Sequence, residues 1–430
     1  MTRLLTGPDA GDLLGVALRP GRLLSWRARQ VDHQPGKGCT AAYEARVRWP
    51  DGRDTHERMA ACTGAMPAGV TVLDDGAERV GVWRFPYDPE LPALAAAVDE
   101  VAVRALLDGF GLGGGAVRLA VRAYRPRRRA VIEAVGERGR LFLKVVRPGR
   151  VRRLHERHRM LVAAGVPAAP SLGHTTDGLL VLRGLPGRTL RESLREGGRD
   201  LPPGAAILDL LDRLPADLAS GRRRRTWAEK APHYAAVVGA ALPSAAERAA
   251  ALATAIGAES GRGDVVPVHG DLYEAQLLVA GDRVTGLLDI DTAGPGERLD
   301  DLACVLGHLS VLADLYRPQA TVINRLGARY LGAFERVADP ADLRYRTAAV
   351  VLSLATGPHR VQEPGWPSAT RRRLDLAERW VASARSQADA VLGSARSQPV
   401  AVPSMKDSSS RRHGGLTAPV EAGSNTPKEE

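Results

Sequence analysis

The sequence predicts an α+β protein with a β-rich first part and a mostly helical second part. From about 20 to 90 and again from 117 to 185, short runs of alternating apolar residues are separated by turns such as Pro-Asp-Gly and Asp-Asp-Gly, which is typical of hairpins. From 186 to 262 and from 299 to 390, apolar residues recur at helical spacing. Between the helical parts, two short apolar strands joined by a Gly-Asp turn predict one further hairpin.

These patterns divide the chain into four predicted regions. Residues 1–95 are expected to form a β-rich cap region, and 96–185 a second β-rich lobe that opens with one linker helix over 93–110. Residues 186–392 are expected to form the helical lobe. From about 393 the chain is rich in Ser, Pro, Gly, Lys and Glu, so 393–430 is predicted to be a disordered tail.

Composition excludes some classes of protein. No apolar run approaches the roughly 18 residues that a membrane helix requires, and the N-terminus lacks a signal-peptide core. Three widely spaced cysteines suit a reducing compartment, so we expect a cytoplasmic protein with no membrane partner. The formal charge of +11 suggests a nucleic-acid partner, but only 4% of residues are aromatic, which is poor for base stacking. We therefore expect no nucleic-acid partner and read the charge as an arginine-rich composition.

The strongest functional pattern is the string HGDLYEAQLLV with the LLDID that follows it. It places Asp271 and Gln276 before the hairpin, and Asp289 and Asp291 after it, so that the four side chains can converge. Gln276, Asp289 and Asp291 offer the oxygen ligands that a hard divalent cation uses with phosphate. Asp271 remains free to accept a proton, which is the arrangement that phosphoryl transfer needs. His269 joins Asp271 in the predicted catalytic loop, where it is expected to order the loop by hydrogen bonding.

Lys144 is the next candidate. It lies in the middle of the predicted strand RLFLKVV, where a charge is costly unless it is paired. Only five of the 60 basic residues are lysines, so a lysine here suggests that a compact point charge is needed. The alternative is an edge-strand lysine that points to solvent.

The central strings resemble the aminoglycoside phosphotransferase and choline kinase-like enzymes, whose loop reads roughly HGDxxxxN and is followed by an acidic metal-binding segment. The resemblance covers about 117–380 and implies a two-lobed protein-kinase-like fold. It also implies ATP as donor with Mg²⁺, Asp271 as the catalytic base and Asp289 as a metal ligand. Gln276 stands where the family usually has Asn. Maltokinase-like sugar kinases, which also carry a cap, have Gln there, so the resemblance favours that branch.

The same resemblance assigns roles in the second β-rich lobe. Lys144 would contact the ATP phosphates and pair with a helix glutamate, for which Glu156 is the best match. The turn that contains Arg127 stands where kinases carry a glycine-rich loop, but it has no glycine. Its arginines could clamp phosphate oxygens or form a plain basic turn. Asp301 is expected to have a structural role or to contact the catalytic loop.

We therefore predict an ATP-dependent small-molecule kinase that phosphorylates a hydroxyl of a small polar acceptor, with a sugar or aminosugar favoured. The segment 357–366, which includes His359 and Trp366, is a weak candidate for acceptor contacts. Two alternatives stay open. One is a nucleotide-binding pseudokinase with a regulatory role, suggested by Gln276 and the glycine-free turn. The other is a nucleic-acid-binding protein.

Overall fold

The first sheet is built from hairpins whose strands alternate between buried and exposed residues. A computed structural model describes residues 2–396 except 75, 77, 114 and 138. In the second strand, every other side chain from Cys39 to Val47 is buried, as expected for a sheet with one face on a core. Two short helices, α1 (Thr2–Thr6) and α2 (Asp9–Ala17), pack on that face. The order of the antiparallel strands is β1-β2-β3-β5-β4, with β1 (Arg22–Gln34), β2 (Gly38–Arg48), β3 (Asp54–Cys62), β4 (Thr71–Asp74) and β5 (Arg79–Arg84).

A connecting segment leads from the first sheet to the second. The sequence predicted one helix over 93–110, which is wrong, because the structure has two: α3 (Leu94–Ala97) and α4 (Glu100–Gly109). Asp99 is extended and its carboxylate accepts a hydrogen bond of 2.8 Å from the Ala102 backbone N–H. An aspartate that caps a new helix ends the previous one, and apolar spacing does not reveal this.

The second sheet carries the predicted strands and the helix that follows Lys144. Its strand order is β6-β7-β8-β10-β9, all antiparallel. Lys144 lies in β8, which has β7 on one side and β10 on the other, so it is on an interior strand and the edge-strand alternative is wrong. The elements are β6 (Arg118–Arg125), β7 (Arg129–Gly136), β8 (Gly139–Val146), α5 (Pro148–Ala163), β9 (Ser171–His174) and β10 (Leu179–Arg183).

The remainder of the first compact unit, which ends at Ala388, is mostly helical. Two of its helices, α10 and α12, are buried on most sides and pack against each other. The helices are α6 (Leu190–Arg195), α7 (Gly204–Asp212), α8 (Trp227–Ala241), α9 (Ala246–Glu259), α10 (Arg298–Leu315), α11 (Ala320–Phe334), α12 (Pro340–Leu354), α13 (Gly357–Arg360) and α14 (Trp366–Arg396). The predicted α+β class, β-rich first and helical afterwards, is confirmed.

Short strands within the helical part hold the central motif. They are β11 (Arg188–Thr189), β12 (Val265–Val268), β13 (Leu277–Ala280), β14 (Arg283–Leu287) and β15 (Gly294–Glu297). The predicted hairpin is β13–β14, and β12 pairs with β15. None of the described helices is long and apolar enough to cross a membrane. The predicted tail, 393–430, lies outside the described residues from 397 onward.

Candidate active site

The β13–β14 hairpin brings Gln276 next to the residues that follow β14. Leu277 pairs with Leu287, and the Leu288 backbone N–H donates a hydrogen bond of 2.8 Å to the Gln276 carbonyl oxygen. Asp289 follows directly and has a left-handed backbone with φ of +49°, which turns the chain sharply out of the strand. Antiparallel pairing therefore juxtaposes the two ends, as the sequence predicted.

Asp301 holds the catalytic loop from the start of α10. Its carboxylate accepts two hydrogen bonds of 2.7 Å, from the backbone N–H groups of His269 and Gly270. Burial raises the pKa of Asp301 to about 6, and the two N–H donors work in the opposite direction. The predicted contact between Asp301 and the loop is confirmed.

Gly270 lies where the loop turns, and a side chain would not fit there. Its φ is +79°, and an added Cβ would lie 2.7 Å from the Arg224 guanidinium. Arg224 donates a hydrogen bond of 3.2 Å to the Gly270 carbonyl and another to the Thr292 carbonyl. Arg224 therefore joins the catalytic loop to the segment that follows Asp291. Arg224 was not predicted from the sequence, because its only local signal is a run of four arginines.

His269 is fully buried, and both of its ring nitrogens have partners. Nε2 lies 2.9 Å from the Leu288 carbonyl oxygen and therefore carries the proton, while Nδ1 accepts a 3.3 Å hydrogen bond from the Asp271 backbone N–H. Burial lowers the pKa of His269, which favours this neutral imidazole. The ring links the catalytic loop to the end of the hairpin, and it has no nitrogen left for proton transfer.

Asp271 has an unengaged carboxylate. Among the described residues, its only side-chain contact of hydrogen-bond type is with the Cys304 thiol, at 4.0 Å between Sγ and Oδ1. Burial raises the pKa of Asp271 above its ordinary value, with the Asp289 charge acting in the same direction and His269 opposing it. A carboxylate with a raised pKa and free oxygens is a better proton acceptor than an ordinary one.

The two acids after the hairpin share two cations. Lys144 Nζ lies 2.9 Å from Asp289 Oδ1 and also bonds Asp291, while Arg129 Nη1 lies 2.8 Å from Asp289 Oδ2 and 3.4 Å from Asp291 Oδ2. Only 7% of the Lys144 side chain is exposed, so the pair is largely shielded from water. Burial would raise the pKa of Asp289, but Lys144 and Arg129 outweigh it and hold this pKa well below its usual range.

Arg129 and Arg157 complete this cluster; Arg129 ends the run of arginines that were predicted as possible phosphate contacts, and Arg157 was not predicted. Arg129 begins β7, directly after the arginine turn, and Arg157 on α5 donates a 2.7 Å hydrogen bond to the Asp291 backbone carbonyl. For Arg129, the run of arginines from 127 to 129 was a signal in the sequence. For Arg157, only the orientation of α5 towards Asp291 decides the contact.

The expected pair between Lys144 and Glu156 is not formed. Glu156 bonds Arg152 at 2.9 Å, and more than half of its side chain is exposed. The reason is helical phase, because α5 buries one stripe and Glu156 lies about half a turn away from it. The stripe consists of Val151, Leu154, His158 and Leu161.

Arg127 anchors its turn instead of facing the two acids. Its guanidinium lies 2.7 Å from Glu90 Oε1, and its backbone N–H donates a 2.8 Å hydrogen bond to Asp88. Asp88 also accepts a 2.8 Å hydrogen bond from the Tyr124 hydroxyl. Acids of the connecting segment therefore fix the turn that was expected to cover the phosphates, and Arg129 is the arginine of this run that reaches Asp289.

The segment 357–366 makes mainly packing contacts. The helix α13 packs against β1, and the His359 ring lies edge-on to Trp366 with centroids 4.8 Å apart. His359 is buried. These contacts join the helical part to the first sheet, and the proposal of acceptor binding here gains no support from them.

Comparison with solved structures gives distant similarities. A putative aminoglycoside phosphotransferase from Ralstonia eutropha shares 13% identity, with 66% of this chain and 97% of that chain covered and a TM-score of 0.43. A macrolide 2'-phosphotransferase from Brachybacterium faecium shares 20% identity over 64% and 97%, with a TM-score of 0.39. An ethanolamine kinase from Plasmodium vivax shares 13% identity over 61% and 82%, with a TM-score of 0.40.

A search among curated proteins found no match. The family model for the phosphotransferase enzyme family, however, matches residues 125–342, which include Lys144, the catalytic loop and both acids of the hairpin. This match agrees with the resemblance seen in the central strings, and the matched residues span the end of the β-rich part and most of the helical part. The chain belongs to the phosphotransferase enzyme family.

Proposed function

We propose that this protein transfers the γ-phosphoryl group of ATP to a hydroxyl of a small polar acceptor. The proposal rests on a structural difference between two aspartates that bind cations and a third that does not. Asp289 and Asp291 are bound to two cations, whereas the Asp271 carboxylate, on the adjoining loop, has no cationic partner among the described residues. A kinase needs both kinds of acid, one to hold charge at the phosphates and one to accept a proton.

The residues fit a nucleotide and Mg²⁺ by their donor chemistry. Gln276, Asp289 and Asp291 offer hard oxygen ligands, and no hydrogen bond joins the Gln276 side chain to another described residue. When bound, Mg²⁺ supplies positive charge at the phosphate oxygens. Lys144 and Arg129 are positioned to neutralise the same oxygens, since both already hold anionic groups at this spot.

Asp271 is proposed as the catalytic base. It would hold the acceptor hydroxyl and take its proton while phosphoryl transfer proceeds, and its raised pKa supports that role. His269 keeps the loop in position through Leu288 and does not move a proton. Because Asp301 and Arg224 hold the same loop from two other sides, the base is held on a rigid frame.

The side chains near Asp271 favour an acceptor that is ring-shaped and polar. Tyr273 stacks on His308 with centroids 4.1 Å apart, and Trp227 stacks on Tyr234. Burial raises the pKa of Tyr234 to about 12, with the Asp271 charge as the next cause, so Tyr234 lies within reach of the Asp271 charge. Aromatic side chains in this region are consistent with a sugar or aminosugar acceptor. Gln276 and the N-terminal sheet are consistent with the sugar-kinase branch.

The test is Mg²⁺-dependent ATP consumption by the full chain with a panel of sugars and aminosugars. Asp271→Asn should reduce turnover by about 10²–10⁴-fold while AMP-PNP binding is kept. Asp282→Asn, at the exposed tip of the β13–β14 hairpin, is the matched control and should be unchanged. If nucleotide binds but no acceptor supports turnover, the pseudokinase alternative is favoured.

A further inference from the structure

A cationic cavity of about 880 Å³ opens beside Asp291 and extends away from the catalytic loop. Three parts of the chain form most of its walls: the β1–β2 hairpin of the first sheet, the arginine turn between β6 and β7, and α5 from Gly149 to Arg157. Asp291 and Thr292 lie at its inner end. The cavity therefore adjoins the proposed phosphoryl-transfer site and continues beyond it.

The walls carry a strong excess of positive charge. Two lining residues are carboxylates, Asp32 and Asp291, and both have cationic partners. Like charges that face one cavity repel each other, so the empty cavity favours an anionic occupant. Nine lining residues are cationic: Lys37, Arg125, Arg127, Arg128, Arg129, Arg147, Arg150, Arg153 and Arg157.

Five of these cations have no ion pair with another residue in the described part of the chain. They come from all three walls: Lys37 from the first sheet, Arg125 from the turn, and Arg150, Arg153 and Arg157 from α5, where Arg157 bonds a backbone carbonyl. Arg152, on the same helix but outside the cavity lining, is by contrast paired with Glu156. Cations left unpaired on several sides of one cavity are a binding surface for an anion.

Arg125 gives the clearest sign of a missing partner. Its Nε atom is buried and has no hydrogen-bond partner among the residues that the structure describes. Burial, followed by the nearby charges of Arg360, Arg128 and Arg129, lowers the pKa of Arg125 to about 10. A buried donor without a partner costs free energy that a bound anion would recover.

The row of arginines on α5 leads outward from the active site. Arg150, Arg153 and Arg157 are spaced by three and four residues and share one face of the helix. Arg157 contacts the Asp291 carbonyl, and seven residues of helix put Arg150 about 10 Å farther along the axis. That outer part is too far from Asp291 to serve only a phosphate held there.

We infer that this cavity binds a second phosphate-bearing small molecule beside the nucleotide. Arginine forks match phosphate oxygens in pairs, which favours phosphate over a singly charged anion. The enclosed volume suits a small molecule and is too small for a nucleic-acid duplex. The inference does not depend on the proposed reaction, because binding can be measured without turnover.

The probe is inorganic tripolyphosphate, titrated into the full chain by calorimetry with and without saturating Mg²⁺ and AMP-PNP. Binding should persist with AMP-PNP present, and Arg150→Glu/Arg153→Glu should weaken it at least about tenfold. Lys37→Glu, from the opposite wall, should weaken it too. Arg152→Glu, on the same helix but paired with Glu156, should stay within about twofold. All four substituted residues lie on the surface, and equal melting temperatures would show intact folding.

Two results would overturn the inference. Complete displacement of tripolyphosphate by AMP-PNP would mean that the cavity serves only the nucleotide's own phosphates. Equal binding to wild type and Arg150→Glu/Arg153→Glu would mean that the cavity is not the site. If AMP-PNP itself failed to bind, the proposed function would fail, and the tripolyphosphate comparison among variants would still decide this inference.

Two kinds of ligand share this chemistry, a phosphorylated acceptor and a phosphorylated effector. They are separated by supplying ATP with a sugar monophosphate or with the matching neutral sugar. Conversion of the monophosphate to a bisphosphate, with ATP consumed in equal amount, identifies an acceptor. A change in the turnover of the neutral sugar, with the monophosphate recovered intact, identifies an effector. A monophosphate that shows neither effect and no binding contradicts the inference.

Discussion

Lys144 Nζ and Asp289 Oδ1 lie 2.9 Å apart although 145 positions separate the two residues in the sequence. This contact connects the second sheet to the end of the β13–β14 hairpin. Lys144 also bonds Asp291, so one ammonium group holds both acids of the LLDID string. Lys144 was expected to pair with Glu156, but in the structure it pairs with Asp289 and Asp291, the acids proposed to bind the metal.

The stabilisation by this pair should depend on pH. Lys144 and Arg129 keep the pKa of Asp289 below its usual value, so the ionised pair stabilises the fold above about pH 4, the ordinary aspartate pKa. That stability is lost as the pH falls through the lower folded-state pKa. Lys144→Met should cost about 1.5–3 kcal/mol at pH 7, and the difference from wild type should narrow towards pH 3. Urea unfolding at each pH measures the free energies, with Lys37→Met as the control. A difference between Lys144→Met and wild type that did not change with pH would contradict the prediction.

Glu156 should be dispensable for nucleotide binding. It pairs with Arg152 on the exposed side of α5, and exposed pairs of this kind contribute about 0.3–0.5 kcal/mol. Glu156→Gln should leave the AMP-PNP dissociation constant within about twofold, whereas Lys144→Met should raise it at least tenfold. Titration of both variants is the measurement. A large effect of Glu156→Gln would mean that α5 rotates to form the expected pair when nucleotide binds.

Gln276 should affect metal use more than folding. No hydrogen bond ties its side chain to another described residue, so Gln276→Asn and Gln276→Leu should both melt close to wild type. Gln276→Asn keeps the amide oxygen one methylene shorter and should retain activity at a higher Mg²⁺ requirement. Gln276→Leu removes the ligand atom and should lower turnover about 10²-fold, a typical effect at metal sites. Equal Mg²⁺ dependence in all three proteins would exclude Gln276 as a ligand.

Asp88, in the segment that connects the two sheets, should contribute strongly to the stability of the fold. It is 4% exposed and accepts hydrogen bonds from the Tyr124 hydroxyl and from the backbone N–H groups of Arg127 and Glu90. Asp88→Ala leaves these three donors without their acceptor and should cost about 3 kcal/mol of unfolding free energy. Chemical denaturation measures the loss. Asp51→Ala, in an exposed turn with a surface ion pair to Arg53, should cost under about 1 kcal/mol; similar losses in both would contradict the prediction.

Local chemistry explains what the sequence predicted well. The Gly-Asp turn and the apolar strands on each side define the β13–β14 hairpin, and antiparallel pairing then places Gln276 beside Asp289. The catalytic loop was recognised from an equally short pattern, whereas its contact with Asp301 was implied by the family resemblance. Asp99 shows where local patterns fail. The apolar spacing continues from α3 into α4, but the Asp99 side chain caps α4 and so separates the two helices.

The sequence by itself determined the β-rich and helical parts, the hairpin and the three aspartates, because turns, alternation and helical spacing act over a few residues. Only the tertiary structure decided which cations meet these acids. Helical phase directs Arg157 towards Asp291 and Glu156 to solvent, and strand packing brings Lys144 and Arg129 to Asp289. The arginine-lined cavity likewise exists only where two sheets and a helix meet. Such contacts depend on packing between segments far apart in the chain, which local patterns do not encode.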